Sequence, residues 1–268
     1  MLSQGSIGVF DSGMGGLTVL RALRYHLPHE KFIYLGDTAR LPYGTKSPET
    51  VKQYATQMSR ILIEQGIKAL VIACNTATTA ALEHLQALYP ELLILGVVEP
   101  GASAVSEVSR TGQVLVLATE TTIASKAYHR AIIKRIPYAN IDGQACSLLV
   151  ALAEEGIVQH DIARLTLEHY LPTPIHHDTI LLGCTHFPVF KPLLEEMLPN
   201  IHIVDSASAT AMMLEEHLKS RQLLHSGTGQ TQYLVTDAIE RFCRIGEIFL
   251  GEAISPEQVT LIDVTPSK

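Results

Sequence analysis

Leu70-Val-Ile-Ala-Cys-Asn-Thr76 and Leu181-Leu-Gly-Cys-Thr-His186 decide the fold. Each is a short apolar run that stops at a cysteine, and each cysteine is followed at once by small or polar residues. A run of this length, bounded this way, reads as a strand buried on both faces, which belongs in a parallel sheet. Cys74 and Cys184 then sit at the carboxyl ends of their strands, the edge where open α/β sheets bind ligands. The segments that follow, Ala77 to Leu88 and Phe187 to Leu198, read as helices. Both thiols are therefore expected near a helix N-terminus, whose N–H groups favour a thiolate. Two thiols in one setting, one in each half of the chain, point to two matched bases facing one substrate.

Outward from these stretches, strand and helix alternate. Ser6 to Asp11, Lys31 to Gly36, Ala69 to Ala73 and Leu92 to Val98 read as strands, with helices at Leu17 to Leu27, Glu49 to Gln65 and after Cys74. A second series starts near Pro100. It has strands Gln113 to Ala118, Thr179 to Gly183 and His202 to Val204, with helical stretches through Arg135, from Ser147 to Glu155 and from Asp161 to Tyr170. Helix Ala207 to Arg221, strand Gln232 to Val235, helix Ala238 to Leu250 and strand Val259 to Ile262 complete the pattern. Alternation at this spacing predicts an α/β fold with mainly parallel sheets and crossover helices.

The 268 residues are 47% hydrophobic and 18% charged, enough for one large domain or two small ones and too apolar for wholesale disorder. A net charge of -7 gives no electrostatic reason to bind nucleic acid or an anionic membrane. No apolar run approaches the roughly 20 residues of a membrane span. Met1-Leu-Ser-Gln-Gly5 lacks the basic and apolar regions of a signal peptide, so the expected location is cytoplasmic. The four cysteines, at 74, 146, 184 and 243, include no CxxC pair, so a structural zinc site has little support. Cys146 and Cys243 read as buried small hydrophobes.

Three loops sit where strands end. Ile7-Gly-Val-Phe-Asp-Ser-Gly-Met-Gly-Gly-Leu-Thr18 is the most glycine-dense segment, and its glycines allow close approach of backbone to a ligand. It lacks the third glycine of a dinucleotide fingerprint and any Walker lysine, which leaves Asp11 and Ser12 as its polar groups. Gly36-Asp-Thr-Ala-Arg-Leu-Pro-Tyr-Gly44 exposes backbone N–H groups around Tyr43 that suit a carboxylate. Cys184-Thr-His186 is compatible with a thiol–imidazole nucleophile. His176-His177 reads as solvated surface, and Glu154 and Glu155 as a solvated helix end from which one carboxylate can reach the cleft.

Taken together, Ile7-Gly-Val-Phe-Asp-Ser-Gly13, Gly36 to Gly44, Ala73-Cys-Asn-Thr-Ala77 and Leu182-Gly-Cys-Thr-His-Phe-Pro188 closely resemble glutamate racemase. That family is the cofactor-independent source of D-glutamate for bacterial peptidoglycan. The resemblance implies two pseudo-twofold-related α/β domains with the active site between them: residues 1–99 with 206–268, and residues 100–205. It implies Cys74 and Cys184 as the acid/base thiols, supported by Asp11 and His186. It implies substrate contacts from Asp11 with Ser12, Tyr43 with Gly44, Asn75 with Thr76, and Thr185 with His186. The implied partners are L- and D-glutamate, with no cofactor, no metal, no nucleic acid and no membrane. A homodimer is admissible but undecided. Ser147 and Ala151 stand where the family commonly has proline, which leaves the role of Glu154 open.

Two bases suit racemisation because a proton must leave one face of Cα and return to the other. Three alternatives remain at this stage. One is a racemase for aspartate or another small amino acid. Another is a thiol hydrolase or amidotransferase built on Cys184 and His186, which leaves Cys74 idle. The last is a small-molecule binding protein with two structural thiols.

Overall fold

A computed structural model describes residues 4–264. Residues 1–3, which open the segment read as lacking a signal peptide, and 265–268 lie outside the described residues. The first series runs β1 (Ile7–Asp11), α1 (Leu17–His26), β2 (Lys31–Gly36), α2 (Pro48–Glu64), β3 (Ala69–Ile72), α3 (Asn75–Leu88) and β4 (Leu93–Gly96). After α4 (Val98–Val108), the second series runs β5 (Gln113–Ala118), α5 (Glu120–Ser125), α6 (Ala127–Ile133), β6 (Asn140–Ala145), α7 (Ser147–Glu154) and α8 (Asp161–Tyr170). It continues through β7 (Thr179–Gly183), α9 (Lys191–Met197) and β8 (His202–Asp205). The chain then returns through α10 (Ala207–Ser220), β9 (Gln230–Val235), α11 (Ile239–Leu250) and β10 (Val259–Leu261). Local chemistry marks these ends. Ser47 caps α2 by accepting the Thr50 N–H, and Pro48 follows at a position where no N–H is needed.

The strands form two sheets, in which every pairing is parallel. The larger has the order β10-β9-β2-β1-β3-β4 and the smaller β6-β5-β7-β8. The order β2-β1-β3-β4 is repeated by β6-β5-β7-β8, so β3 and β7 occupy equivalent places and each leads into a cysteine. In this order the crevice opens at the carboxyl ends of the first and third strands. Those ends carry Asp11 and Cys74 in one sheet, Thr119 and Cys184 in the other.

Both faces of the central strands are covered, as their apolar runs require. In β7, Ile180 and Leu182 join one core while Leu181 joins another; Val71 and Leu70 of β3 divide the same way. One continuous core draws on both sheets, from Ile7 and Val9 through Leu115 and Leu117 to Ile180 and Leu182. Among the described residues, no helix is long and apolar enough to cross a membrane.

Several elements differ from the sequence expectation. Strand Leu92 to Val98 ends at Gly96, and α4 begins at Val98. Pro100 is tolerated there because it falls in the first turn, and Gly101 fits because a Cβ would lie 3.0 Å from the Tyr128 ring. β6 was not predicted; it is a polar edge strand, half of it exposed, with no apolar run to reveal it. The helix expected over Phe187 to Leu198 is a 3-10 turn, Phe187–Phe190, followed by α9. His177 is not solvated surface. Its side chain is 7% exposed, with Nε2 2.8 Å from Asp142 Oδ2.

A buried ion pair braces the amino-terminal edge of the larger sheet. Lys68 Nζ lies 2.6 Å from Glu30 Oε2, and both side chains are 1% exposed. Lys68 also donates to the Leu223 carbonyl, and Glu30 Oε1 accepts the His225 N–H. Lys68→Met strands the Glu30 charge, so chemical denaturation is expected to show a loss of about 3–5 kcal/mol. A loss below about 1 kcal/mol would show the pair to be dispensable.

Candidate active site

The first wall of the site comes from β1 and β3. Asp11 is fully buried; its Oδ2 accepts the Gly13 N–H at 2.9 Å and its Oδ1 the Thr185 hydroxyl at 3.2 Å. Burial pushes its carboxyl above the usual range, against the opposing pull of the His186 charge and the N–H groups of Gly16 and Gly13. Cys74 caps α3, with Sγ accepting the Ala77 N–H at 3.4 Å and lying 3.5 Å from Ser12 Oγ. The expected thiolate does not follow. Burial pushes the Cys74 thiol up to about 12, with the Asp11 charge adding to it, and the bonds from Ser12 and Ala77 only partly oppose this. Desolvation outweighs the helix terminus.

The second wall comes from β7 and α7. Cys184 Sγ is 3.9 Å from His186 Nδ1, and His186 Nε2 is 3.0 Å from Glu154 Oε1. Burial disfavours the imidazolium, but the bonds to Cys184 and Glu154 outweigh it and raise the His186 pKa to about 10. Phe249 of α11 meets the ring edge-on at 5.2 Å, and Arg241 of the same helix approaches Glu154 Oε2 at 3.6 Å. Glu154 is therefore a buried partner of His186 and not a solvated helix end. Cys146 is also buried, and burial followed by the nearby Cys184 raises it to about 12; Cys243 is only half-buried.

Hydrogen bonds between the two sheets' loops close the seam. Thr18 Oγ1 donates to the Thr185 carbonyl at 3.1 Å, and Thr76 Oγ1 lies 2.9 Å from Thr119 Oγ1 and 3.3 Å from Thr122 Oγ1. Thr121 Oγ1 donates to the Gly44 carbonyl at 2.9 Å, and Tyr128 donates to Asn75 Oδ1 at 2.5 Å. The glycine-dense loop serves this packing. A Cβ on Gly15 would lie 2.5 Å from His186 Nδ1, and one on Gly16 would collide with Asp11. Gly44 is likewise pressed against Thr119.

All ten residues expected at the site thus line or adjoin one seam. The Tyr43 phenol is turned aside to Asp37, which also holds Arg40 at 2.8 Å and Thr236 at 3.0 Å, so Tyr43 offers its backbone to the site. Asp37, Thr119, Thr122 and Tyr128 were missed. Thr119 follows the apolar run of β5 as Asp11 ends that of β1, which was a usable signal; Tyr128 had none. Asn75 Nδ2 is buried without a hydrogen-bond partner, a donor awaiting an acceptor. Among the described residues, no group of three or more His, Cys, Asp or Glu side chains could hold a metal ion. A cavity of about 980 Å3 opens at the opposite edge of the larger sheet, beside Arg24, Lys31 and Gln230, away from both thiols.

Residues 17–214 match the family model described as Asp/Glu/Hydantoin racemase. A protein of Syntrophus aciditrophicus named glutamate racemase is 47% identical over 92% of this chain and 93% of its own. A glutamate racemase isoform from Bacillus anthracis superposes with a TM-score of 0.91 at 33% identity, over 97% of each chain. The glutamate racemase of Francisella tularensis, solved with D-glutamate, does so at 0.91 and 34%, over 98% of each.

The His186–Glu154 contact carries a pH signature. The folded-state pKa of His186 is raised above its ordinary 6.5 by the bond to Cys184 and then by that to Glu154, so stabilisation by these two partners is complete below about 6.5 and lost as pH rises through about 10. The stability difference between the unmodified protein and Glu154→Gln, read by urea denaturation, is expected to be large near pH 7 and to shrink toward pH 10. A constant difference across that range would mean that the Glu154 contact does not draw on a charge at His186.

Proposed function

The chain belongs to the Asp/Glu/hydantoin racemase family, and we propose that it interconverts L-glutamate and D-glutamate by proton transfer between two thiols, without a cofactor. The observation that carries this is the pair of buried cysteines at equivalent strand ends of two sheets, each with its own supporting groups. Ser12 and Asp11 attend Cys74; His186 and Glu154 attend Cys184. The glutamate racemases among its relatives support glutamate as the substrate.

With L-glutamate bound, the Cys184 thiolate takes the Cα proton and becomes a thiol. The electron pair of the broken C–H bond remains on Cα, conjugated with the carboxylate. The Cys74 thiol then delivers its proton to the opposite face and becomes a thiolate, giving D-glutamate. Two features support this direction: burial keeps Cys74 protonated, and the His186 imidazolium supplies positive charge beside Cys184. No pyridine ring takes up the carbanion's charge, so fixed donors must do so. Asn75 Nδ2 is read as holding a substrate carboxylate, and the Thr76 and Thr185 hydroxyls, Ser12 and the backbone of Tyr43 and Gly44 are the candidates for this charge. A nucleophilic role for Cys184 alone leaves Cys74, Ser12 and Asp11 without work.

The same reading divides the chain into residues 1–99 with 206–268 and residues 100–205, with crossings at the start of α4 and between β8 and α10; residues 1–3 and 265–268 of that division are not described. It places the enzyme in the cytoplasm, supplying D-glutamate for peptidoglycan, with glutamate as its only required partner. Each chain holds both thiols, so a homodimer is compatible with the mechanism and not required by it.

Racemisation of L-glutamate, followed by circular dichroism, is expected to survive dialysis against a chelator and treatment with hydroxylamine. Activity that is lost and then restored by pyridoxal phosphate would overturn cofactor independence.

The faces are read by isotope exchange, because kcat/KM is equal in the two directions at every pH when the equilibrium constant is one. Cys184→Ala and Cys74→Ala are each expected to lower racemisation by orders of magnitude both ways. In heavy water, Cys184→Ala should exchange the α-proton of D-glutamate but not of L-glutamate, and Cys74→Ala the reverse. Near-normal racemisation by either variant would defeat the two-base mechanism; a swapped pattern would defeat only the assignment of faces.

A further inference from the structure

Tyr128 is buried at the seam, and nothing in the proton transfers uses it. Two glycines fix its ring. A Cβ on Gly101 of α4 would lie 3.0 Å from Cε1, and a Cβ on Gly183, the residue before Cys184, 3.0 Å from Cε2. Its hydroxyl donates to Asn75 Oδ1 at 2.5 Å and is hydrogen-bonded in turn by Ser206. Ser206 precedes α10 but its side chain caps no helical N–H, so its hydroxyl is free for Tyr128. Burial holds the phenol in its protonated form.

A phenol has one proton to donate. The Asn75 amide oxygen can only accept, so Tyr128 sends that proton to Asn75 and is left to accept from Ser206, and the amide is held with its oxygen toward the ring. Asn75 Nδ2 is then the end left over, buried and without a partner. The reversed amide would require the phenol O–H to turn away from Asn75 and would leave Oδ1, an acceptor, as the unpartnered end, where a carboxylate has nothing to bind. Three segments from different parts of the chain (the start of α10, α6 and the first residue of α3) therefore form a directed relay that ends in an unpaired donor beside Cys74. Leaving a buried donor unpaired is costly, and a carboxylate oxygen arriving at that point removes the cost.

We propose that Tyr128 is a positioning residue for the substrate carboxylate, fixing the Asn75 amide so that Nδ2 is always presented as a donor. The proposal rests on Asn75 as a substrate contact in the reading above. Tyr128 does not touch the substrate; it acts through Asn75, and Ser206 acts through Tyr128.

Tyr128→Phe, Asn75→Ala and the double variant test this on the full chain. Tyr128→Phe is expected to raise KM for both enantiomers by about tenfold, with a much smaller change in kcat, because a binding contact is lost. In the Asn75→Ala background the same substitution should change KM less than about twofold, since the residue it acts through is gone. Ser206→Ala should give a smaller shift in the same direction, and carries the test if Tyr128→Phe fails to fold. A second readout needs no substrate. In 15N-labelled protein the Asn75 side-chain amide pair is identified by its loss in Asn75→Ala, and it should shift or broaden in Tyr128→Phe. An Asn75 pair that does not move, or an equal KM penalty in both backgrounds, would overturn the proposal. If the unmodified protein fails to racemise glutamate, the functional reading falls, while the amide resonances still decide whether Tyr128 orients Asn75.

Discussion

The hydrogen bond from the Thr185 hydroxyl to Asp11 joins the carboxyl edges of two separate sheets, and the site exists because those edges are pressed together. A side chain at the end of one sheet reaches only one face of a small ligand. Placing groups on both faces requires two such edges turned toward each other with little water between them. The cost is desolvation, which falls on Asp11, Cys74 and His186 alike. The glycines at 15 and 44 follow from this constraint, since a side chain at either would meet the opposite half and hold the seam open.

That desolvation is not answered equally on the two sides. Around Cys74 the neighbours are a carboxyl group and a hydroxyl, and burial prevails, so the thiol keeps its proton. Around Cys184 an imidazole is held by a buried carboxylate, and the ionic bonds prevail over burial. Two cysteines with similar positions in the chain are therefore made unlike by their second neighbours. One side is stocked with a proton, the other with the positive charge a base needs.

The repeated strand order gives this asymmetry its frame. Four strands in the order second, first, third, fourth occur twice, and both cysteines follow the third. The returning segment then adds β9 and β10 to the larger sheet and lays α11 against the smaller sheet's site. There Phe249 packs on His186 and Arg241 approaches Glu154. A helix near the end of the chain thus buttresses the acid/base pair of the opposite half.

The α/β class, the two cysteine-bearing strands and the strand-end segments holding Asp11, Tyr43 and Asn75 were legible in the sequence, because buried parallel strands are continuous apolar runs and their ends are marked by a change in chemistry. β6 and α4 were not legible: a polar edge strand has no apolar signature, and a Pro-Gly pair reads as a break until the Tyr128 ring explains the glycine. The sequence by itself determined which residues stand at strand ends. Only the tertiary structure decided their state. It set the Glu154 carboxylate against His186, turned the Tyr43 phenol away to Asp37, and buried Cys74 deeply enough to defeat the helix terminus beside it. Strand ends are fixed by local pattern, whereas burial and charge pairing depend on groups brought together from distant parts of the chain.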